Sequence, residues 1–336
     1  MTKTNSKDTT TVVDAGGRYG IHPTWNDFQS TLKYYSFEPD NDEAERLASC
    51  YPEEWFRSIP LALDIKPGTR KFNITKHRGL CSFLKPDTES EWFKNFRPGS
   101  GEIEKEILIN TTSIDTFAKE NDIEIDFLKL DTEGTEQDVL EGSDNSLQNS
   151  VMGARVSVNF QRCYIGQPLI SKTIDYLDSR GFFLLNLDYH GFGVPRNSFF
   201  RKPDPSVPES IRYGEMISCD GVWMLRYSEL LKRFKNNQVD FEYALLKYAY
   251  FAFLNGAPDV CLDVLKRYSN ENTSSWAAEV KESKTYKAVR KECIAFLGRW
   301  RVCEDHLWDE AQQLAKQIFS LKLAGGSGYW EQMHSL

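Results

Sequence analysis

Two carboxylates one residue apart, Asp131 and Glu133, follow the apolar run Asp126-Phe127-Leu128-Lys129-Leu130 and precede Gly134. A buried strand ending in acids delivers them to a crevice, because ligands of open α/β sheets sit just outside the carboxyl ends of the strands. Carboxylates placed there can take a proton from a nucleophile or hold a cationic group of a ligand. For Asp131 the competing reading is capping of the helix expected over Thr135 to Gly142. Asp131 is the first candidate for the base, or for holding a ligand's ammonium, and Glu133 the second; the sequence does not separate these roles.

A second constellation surrounds the glycines. The β-branched run from Thr11 stops at Asp14 and breaks into Gly16, Gly17 and Gly20, with a helix expected over Thr24 to Leu32. Glycine lets a backbone approach a ligand closely. Glu38 ends the next strand, Tyr34 to Phe37, where an acid can accept hydrogen bonds from the two hydroxyls of a ribose. A dinucleotide fingerprint wants glycines at its first, third and sixth places, and these glycines fit no register of it. A nicotinamide cofactor is therefore disfavoured, and Asp14, Gly16, Gly17, Gly20 and Glu38 suit S-adenosylmethionine, which has a ribose but no pyrophosphate. A third strand, Ser58 to Asp64, lays Ala62 and Leu63 beside the adenine.

Further candidates follow. Tyr164 and Gln167, just after the strand Ala154 to Phe160, are placed to orient an acceptor hydroxyl; stabilising the Gly166-Gln167-Pro168 turn is the alternative. His22 and His190 stand near strand ends and are weaker candidate bases. Asp131 and Glu133 have no clear third ligand, so no metal is expected.

These side chains need a scaffold. Strands at 71–76, 107–112, 182–187 and 221–226, with helices at 41–51, 114–121 and 168–180, alternate as in a doubly wound α/β sheet, mostly parallel with an antiparallel edge strand. Residues 77–101 are irregular and aromatic, a candidate lid. Beyond Tyr227 the residues are helix formers: Asn255-Gly256-Ala257-Pro258 separates two helices, and Leu307, Ala311, Leu314, Ile318 and Leu321 share one helical face. The expected organisation is a lead-in over 1–10, a cofactor-binding domain over 11–227 and an α-helical appendage over 228–336 that packs on the sheet, recognises substrate or joins subunits of a homo-oligomer.

Composition narrows the partners. A net charge of −8 argues against nucleic acid. Seven scattered cysteines without C-x-x-C spacing suggest neither a disulfide framework nor zinc, and fit reduced thiols in a cytoplasm. No secretory signal is expected in the polar opening, and the most apolar run, Tyr243 to Leu254, contains Lys247 and is too short to span a membrane.

Taken together, Asp14-Ala15-Gly16-Gly17-Arg18-Tyr19-Gly20, Phe37-Glu38-Pro39, Ala62-Leu63, Asp126 to Gly134 with Val139-Leu140-Glu141-Gly142, and Tyr164-Ile165-Gly166-Gln167-Pro168-Leu169 resemble the FkbM family of S-adenosylmethionine-dependent methyltransferases. The resemblance spans roughly 10–227. It implies a Rossmann-like class I methyltransferase sheet and O-methylation of a hydroxyl on a sugar, glycan or secondary metabolite. Two departures, Gly17-Arg18 where members usually carry Ala-Asn and Ser157-Val158-Asn159 where an acid is common, motivate a second expectation: a silent cofactor-binding module acting through its helical tail.

Overall fold

The computed structural model describes residues 6–28, 30–96, 98–188, 216–234, 236–271, 276–302 and 305–321. His190 and the proline-rich interval expected to form an edge hairpin lie outside them. The sheet-bearing part runs β1 (Thr10–Ala15), β2 (Leu32–Phe37), α1 (Asn41–Cys50), β3 (Phe56–Ile59), β4 (Ala62–Leu63), β5 (Gly68–Thr75), β6 (Ile103–Thr112), α2 (Ile114–Asn121), β7 (Phe127–Leu130), α3 (Glu136–Glu141), α4 (Asp144–Asn149), β8 (Gly153–Asn159), α5 (Ile170–Asp178), β9 (Phe182–Asp188) and β10 (Ser218–Leu225). Helices follow: α6 (Tyr227–Phe234), α7 (Gln238–Leu254), α8 (Pro258–Glu271), α9 (Ala278–Lys281), α10 (Lys284–Gly298) and α11 (Asp305–Phe319).

Seven strands form the main sheet in the order β3-β2-β1-β7-β8-β10-β9. Strand pairs β2/β3, β1/β7 and β7/β8 are parallel. Val12, Val13, Phe127, Leu128 and Val156 are wholly buried, the near-continuous apolar pattern of strands covered on both faces. The fold is thus the expected Rossmann-like, mostly parallel α/β sheet with a helical C-terminal region. Its antiparallel strand β10 lies between β8 and β9, one place in from the edge, pairing antiparallel with both.

Two local expectations change. The stretch Ser58 to Asp64 is not one strand: Pro60 has no N–H to donate to a ladder, the Leu61 amide folds back onto the Ile59 carbonyl at 2.8 Å, and Ala62–Leu63 pairs instead with Thr111 and Thr112 of β6. With β5, these strands form a separate three-stranded sheet, β4-β6-β5. Among the described residues from Thr24 to Leu32 there is no α-helix. A 3₁₀ turn, Pro23–Phe28, buries Trp25 and Phe28 and leads into β2.

The chain divides into two compact units, Thr11–His22 with Lys33–Arg226, and Met1–Thr10 with Pro23–Leu32 and Tyr227–Leu336. The continuous 11–227 domain expected from sequence is thereby interrupted at Pro23–Leu32. In the helical unit Trp25 stacks on Phe251 with ring centroids 5.6 Å apart, and Phe28 lies against Tyr250 at 4.7 Å. Asp8 accepts the Lys284 and Thr285 amides at the start of α10 at 2.8 and 3.2 Å. Among the described residues no helix is long and apolar enough to cross a membrane; α7, buried on nearly all sides, is a core helix.

Candidate functional site

Strand order reverses at the β1/β7 pair, and a crevice opens beyond carboxyl ends at such a switch point. Backbone hydrogen bonds set the distances across it. The Asp131 amide donates to the Ala15 carbonyl at 2.9 Å, and the Gly16 amide donates to the Phe37 carbonyl at 3.1 Å. Gly16 has φ +87°, and a Cβ there would lie 1.9 Å from the Asp131 carbonyl oxygen. Only glycine lets the tips of β1, β2 and β7 meet so closely.

A cavity of about 560 Å³ occupies the crevice. Of the residues singled out from sequence, Gly16, Glu38, Ala62, Leu63, Asp131 and Glu133 line it together. Asp14, Gly17, Gly20, His22, Tyr164 and Gln167 are not among its lining residues. Asp14 is wholly buried beneath the cavity floor, where the Tyr34 hydroxyl donates to it at 2.5 Å and the Lys129 ammonium lies 3.2 Å away. Burial raises its pKa, against the pull of Lys129. Gly17 packs against the Ser36 side chain and Gly20 against the Tyr51 hydroxyl.

Lys129 is the residue that sequence reasoning passed over. Its ammonium donates to the Gly16 carbonyl at 3.2 Å and stands 3.7 Å from Asp131. Burial works against its charge, but Asp14 and Asp131 more than offset this and hold its pKa above the ordinary lysine value. The visible signal was a lysine inside an otherwise apolar strand, bordered by acids.

Glu133 has φ +56°, a left-handed conformation costing a non-glycine residue about 1–3 kcal/mol and concentrated at functional sites. The Tyr164 hydroxyl donates to its Oε2 at 2.8 Å, and the Ser82 hydroxyl donates to its carbonyl at 2.8 Å. Burial, then the neighbouring Asp131 charge, hold the Glu133 carboxyl well above the usual carboxylate range. Glu136, also unread from sequence, folds back so that the Thr132 and Gly134 amides donate to its carboxylate at 2.8 and 3.1 Å. It fixes the acid-bearing loop, and burial pushes its pKa up to about 7.

The irregular segment after β5 braces this loop. The buried Asn73 amide donates to the carbonyls of Ser82 and Leu84 at 3.1 and 3.0 Å, and Pro86 forms a β-bridge with Tyr164. Leu80, Phe93, Cys163, Tyr164 and Ile217 pack as one buried cluster behind it. Around residues 80–87 the expected lid is a pinned wall. Gln167, 3% exposed, accepts the Cys163 and Tyr164 amides at 2.8 and 3.2 Å and so holds its own turn.

Apolar lining comes from Phe72, Ile74, Phe83, Ile107 and Ile109, with Tyr19 and Leu108 exposed at 74% and 73% among the lining residues. Arg18 also lines the cavity; its guanidinium is 2.6 Å from Asp40 and 3.8 Å from Glu38. Among the described residues, no group of three or more His, Cys, Asp or Glu side chains is arranged to hold a metal ion.

A mostly parallel, Rossmann-like α/β sheet with a carboxylate-bearing cavity at its switch point defines the fold class. The family model described as the methyltransferase FkbM domain matches residues 14–184, half of the chain, and the chain belongs to that family. A solved structure, the crystal structure of methyltransferase FkbM from Methylobacillus flagellatus KT, is similar at 13% identity with a TM-score of 0.38. That similarity covers 65% of this chain and 44% of the other, so the chain spans less than half of that protein's length. No curated protein matches significantly.

Proposed function

We propose that the chain transfers a methyl group from S-adenosylmethionine to a hydroxyl of a sugar, glycan or secondary metabolite, the sheet-bearing unit carrying the reaction. The observation that carries this reading is that Glu38 and Asp131, from separate strands, face one cavity with Gly16 between them. The donor set fits the cofactor. Glu38, 4% exposed, offers a carboxylate to the ribose hydroxyls. Phe37, Pro39, Ala62 and Leu63 offer apolar surface to the adenine, and Asp131 offers an anion to the ammonium. The volume lies within the usual range for small-molecule sites, about 300–1,000 Å³.

When bound, S-adenosylmethionine supplies a methyl carbon already activated by a sulfonium; the protein supplies alignment and an acceptor for the hydroxyl proton. Asp131 and Glu133 are the two carboxylates available for that proton. The expected setting is the cytoplasm, with a small-molecule or glycan acceptor and neither nucleic acid nor metal.

Calorimetry with S-adenosylmethionine and with NAD tests the cofactor: binding of the first alone is expected, and tight NAD binding would reject the reading. Transfer of a tritiated methyl group into fractions of a cell extract tests the activity. Cofactor binding with no transfer into any hydroxylated fraction would favour the silent module instead.

A further inference from the structure

We propose that Glu133 receives the acceptor's proton and that Tyr164 is a two-position partner, holding Glu133 by a hydrogen bond whether that proton is present or not. The inference rests on the methyl-transfer reading for its purpose, but its geometry stands alone. The Tyr164 hydroxyl oxygen lies 2.8 Å from Glu133 Oε2 and 3.2 Å from the Leu80 carbonyl oxygen. A phenol carries one proton, so it cannot serve both acceptors fully at once. With Glu133 ionised, the phenol donates to it. With Glu133 protonated, the carboxyl donates to the phenol oxygen and the phenol turns its own proton to Leu80. Both states keep the carboxyl bonded to Tyr164; a proton received on the other carboxyl oxygen reaches the phenol when the carboxyl group turns about its Cγ–Cδ bond.

The surroundings hold the pair in place. Tyr164 is 2% exposed, packed edge-on to Phe93 and tied through the Pro86 bridge. Glu133 is fixed at its carbonyl by Ser82 and lines the cavity. Charged and titratable groups facing Glu133 are Asp131, Glu136 and Lys129 from its own strand and loop, and Tyr164 with Cys163 from the segment before α5. Burial and then Asp131 strengthen its hold on a proton, while Tyr164 and Lys129 weaken it. Asp131 instead faces the Lys129 ammonium at 3.7 Å, the setting of a fixed anion suited to a ligand's cationic end.

The step balances. As the acceptor oxygen bonds to the methyl carbon, its O–H bond breaks and the proton forms a new O–H bond on Glu133. The electron pair of the broken carbon–sulfur bond leaves with the thioether. Tyr164 touches no reacting atom and is a positioning residue.

Infrared titration of the full-length protein tests the pair without any acceptor. Because Glu136 also keeps its proton to about pH 7, the reading is taken from the difference between wild type and Glu133→Gln, which is expected to show a protonated-carboxyl component persisting above the usual carboxylate range. Tyr164→Phe should extend that component to higher pH, because the donor that favours the ionised form is gone. A difference spectrum with no such component, or one that titrates identically in Tyr164→Phe, overturns the proposal. Calorimetry should show S-adenosylmethionine binding unchanged in Glu133→Gln while methyl transfer falls about 100- to 10,000-fold; unchanged transfer overturns the proposal too. If the wild type binds no S-adenosylmethionine, the methyl-transfer reading fails, while the infrared result still decides the proton pair.

Discussion

Glu136 makes the loop's stability depend on pH in a direction opposite to that of most surface acids. Its carboxyl binds a proton more tightly in the folded protein, with a pKa of about 7 against an ordinary 4.5. The stabilisation from that proton is complete below about pH 4.5 and is lost as pH rises through 7, a difference of about 3 kcal/mol. Denaturant unfolding between pH 5 and pH 8 should therefore show falling stability, and Glu136→Gln should flatten the slope; an unchanged slope would remove Glu136 as its source. Glu38 is tested by affinity. Removing a charged acceptor from the ribose hydroxyls costs about 1.5–3 kcal/mol, so Glu38→Ala should weaken S-adenosylmethionine binding about 10- to 100-fold by calorimetry. Sequence pointed to Glu38, Asp131 and Glu133 among the acids lining the cavity because their positions follow from strand ends. It missed Lys129, which joins the Asp14 and Asp131 carboxylates to the Gly16 carbonyl, and Glu136, which folds back onto the amides of its own loop.

At the scale of elements, the site depends on two joins that local pattern does not encode. Pro60 breaks what reads as one strand and sends Ala62–Leu63 to β6, so this part of the cavity lining belongs to the smaller sheet. The second join is Asn73, whose one amide group bonds the Ser82 and Leu84 carbonyls and so fastens the segment that braces Glu133. Asn73→Ala should leave the Leu84 carbonyl without this donor, while the Ser82 carbonyl keeps the residue-73 backbone amide, and destabilise the protein by about 1–3 kcal/mol in denaturant melts. A change below about 0.5 kcal/mol, the usual size of a surface effect, would show that the brace is not needed. The first join is a long-range pairing and the second a side-chain contact nine to eleven residues along the chain; both are visible as apolar and polar runs but not as partners.

At the scale of the whole molecule, the helical unit is assembled from three stretches of chain, the second being Pro23–Leu32 inside the sheet-bearing sequence. Trp25 and Phe28 pack on Phe251 and Tyr250 of α7. Removing everything after Tyr227 should therefore leave two large aromatic side chains without their cover and give a chain that aggregates, measured by light scattering of the purified fragment. A soluble, monomeric fragment would show that these contacts are dispensable. Trp25→Ala in the full chain should cost about 3–5 kcal/mol of stability, the range for emptying a large aromatic site in a core.

By itself the sequence determined what short-range chemistry can specify: strands that end in acids, a glycine turn where no Cβ fits, a helix-rich C-terminal region and the family these motifs resemble. The tertiary structure alone decided which acids share a cavity, that Asp14 lies under the floor and Tyr164 behind Glu133, and that residues 23–32 belong with helices more than two hundred positions away. Residue type and spacing fix the local conformation and which groups can react. Which groups meet depends on strand order and on side chains such as Tyr164 and Lys129, whose partners are distant in the chain.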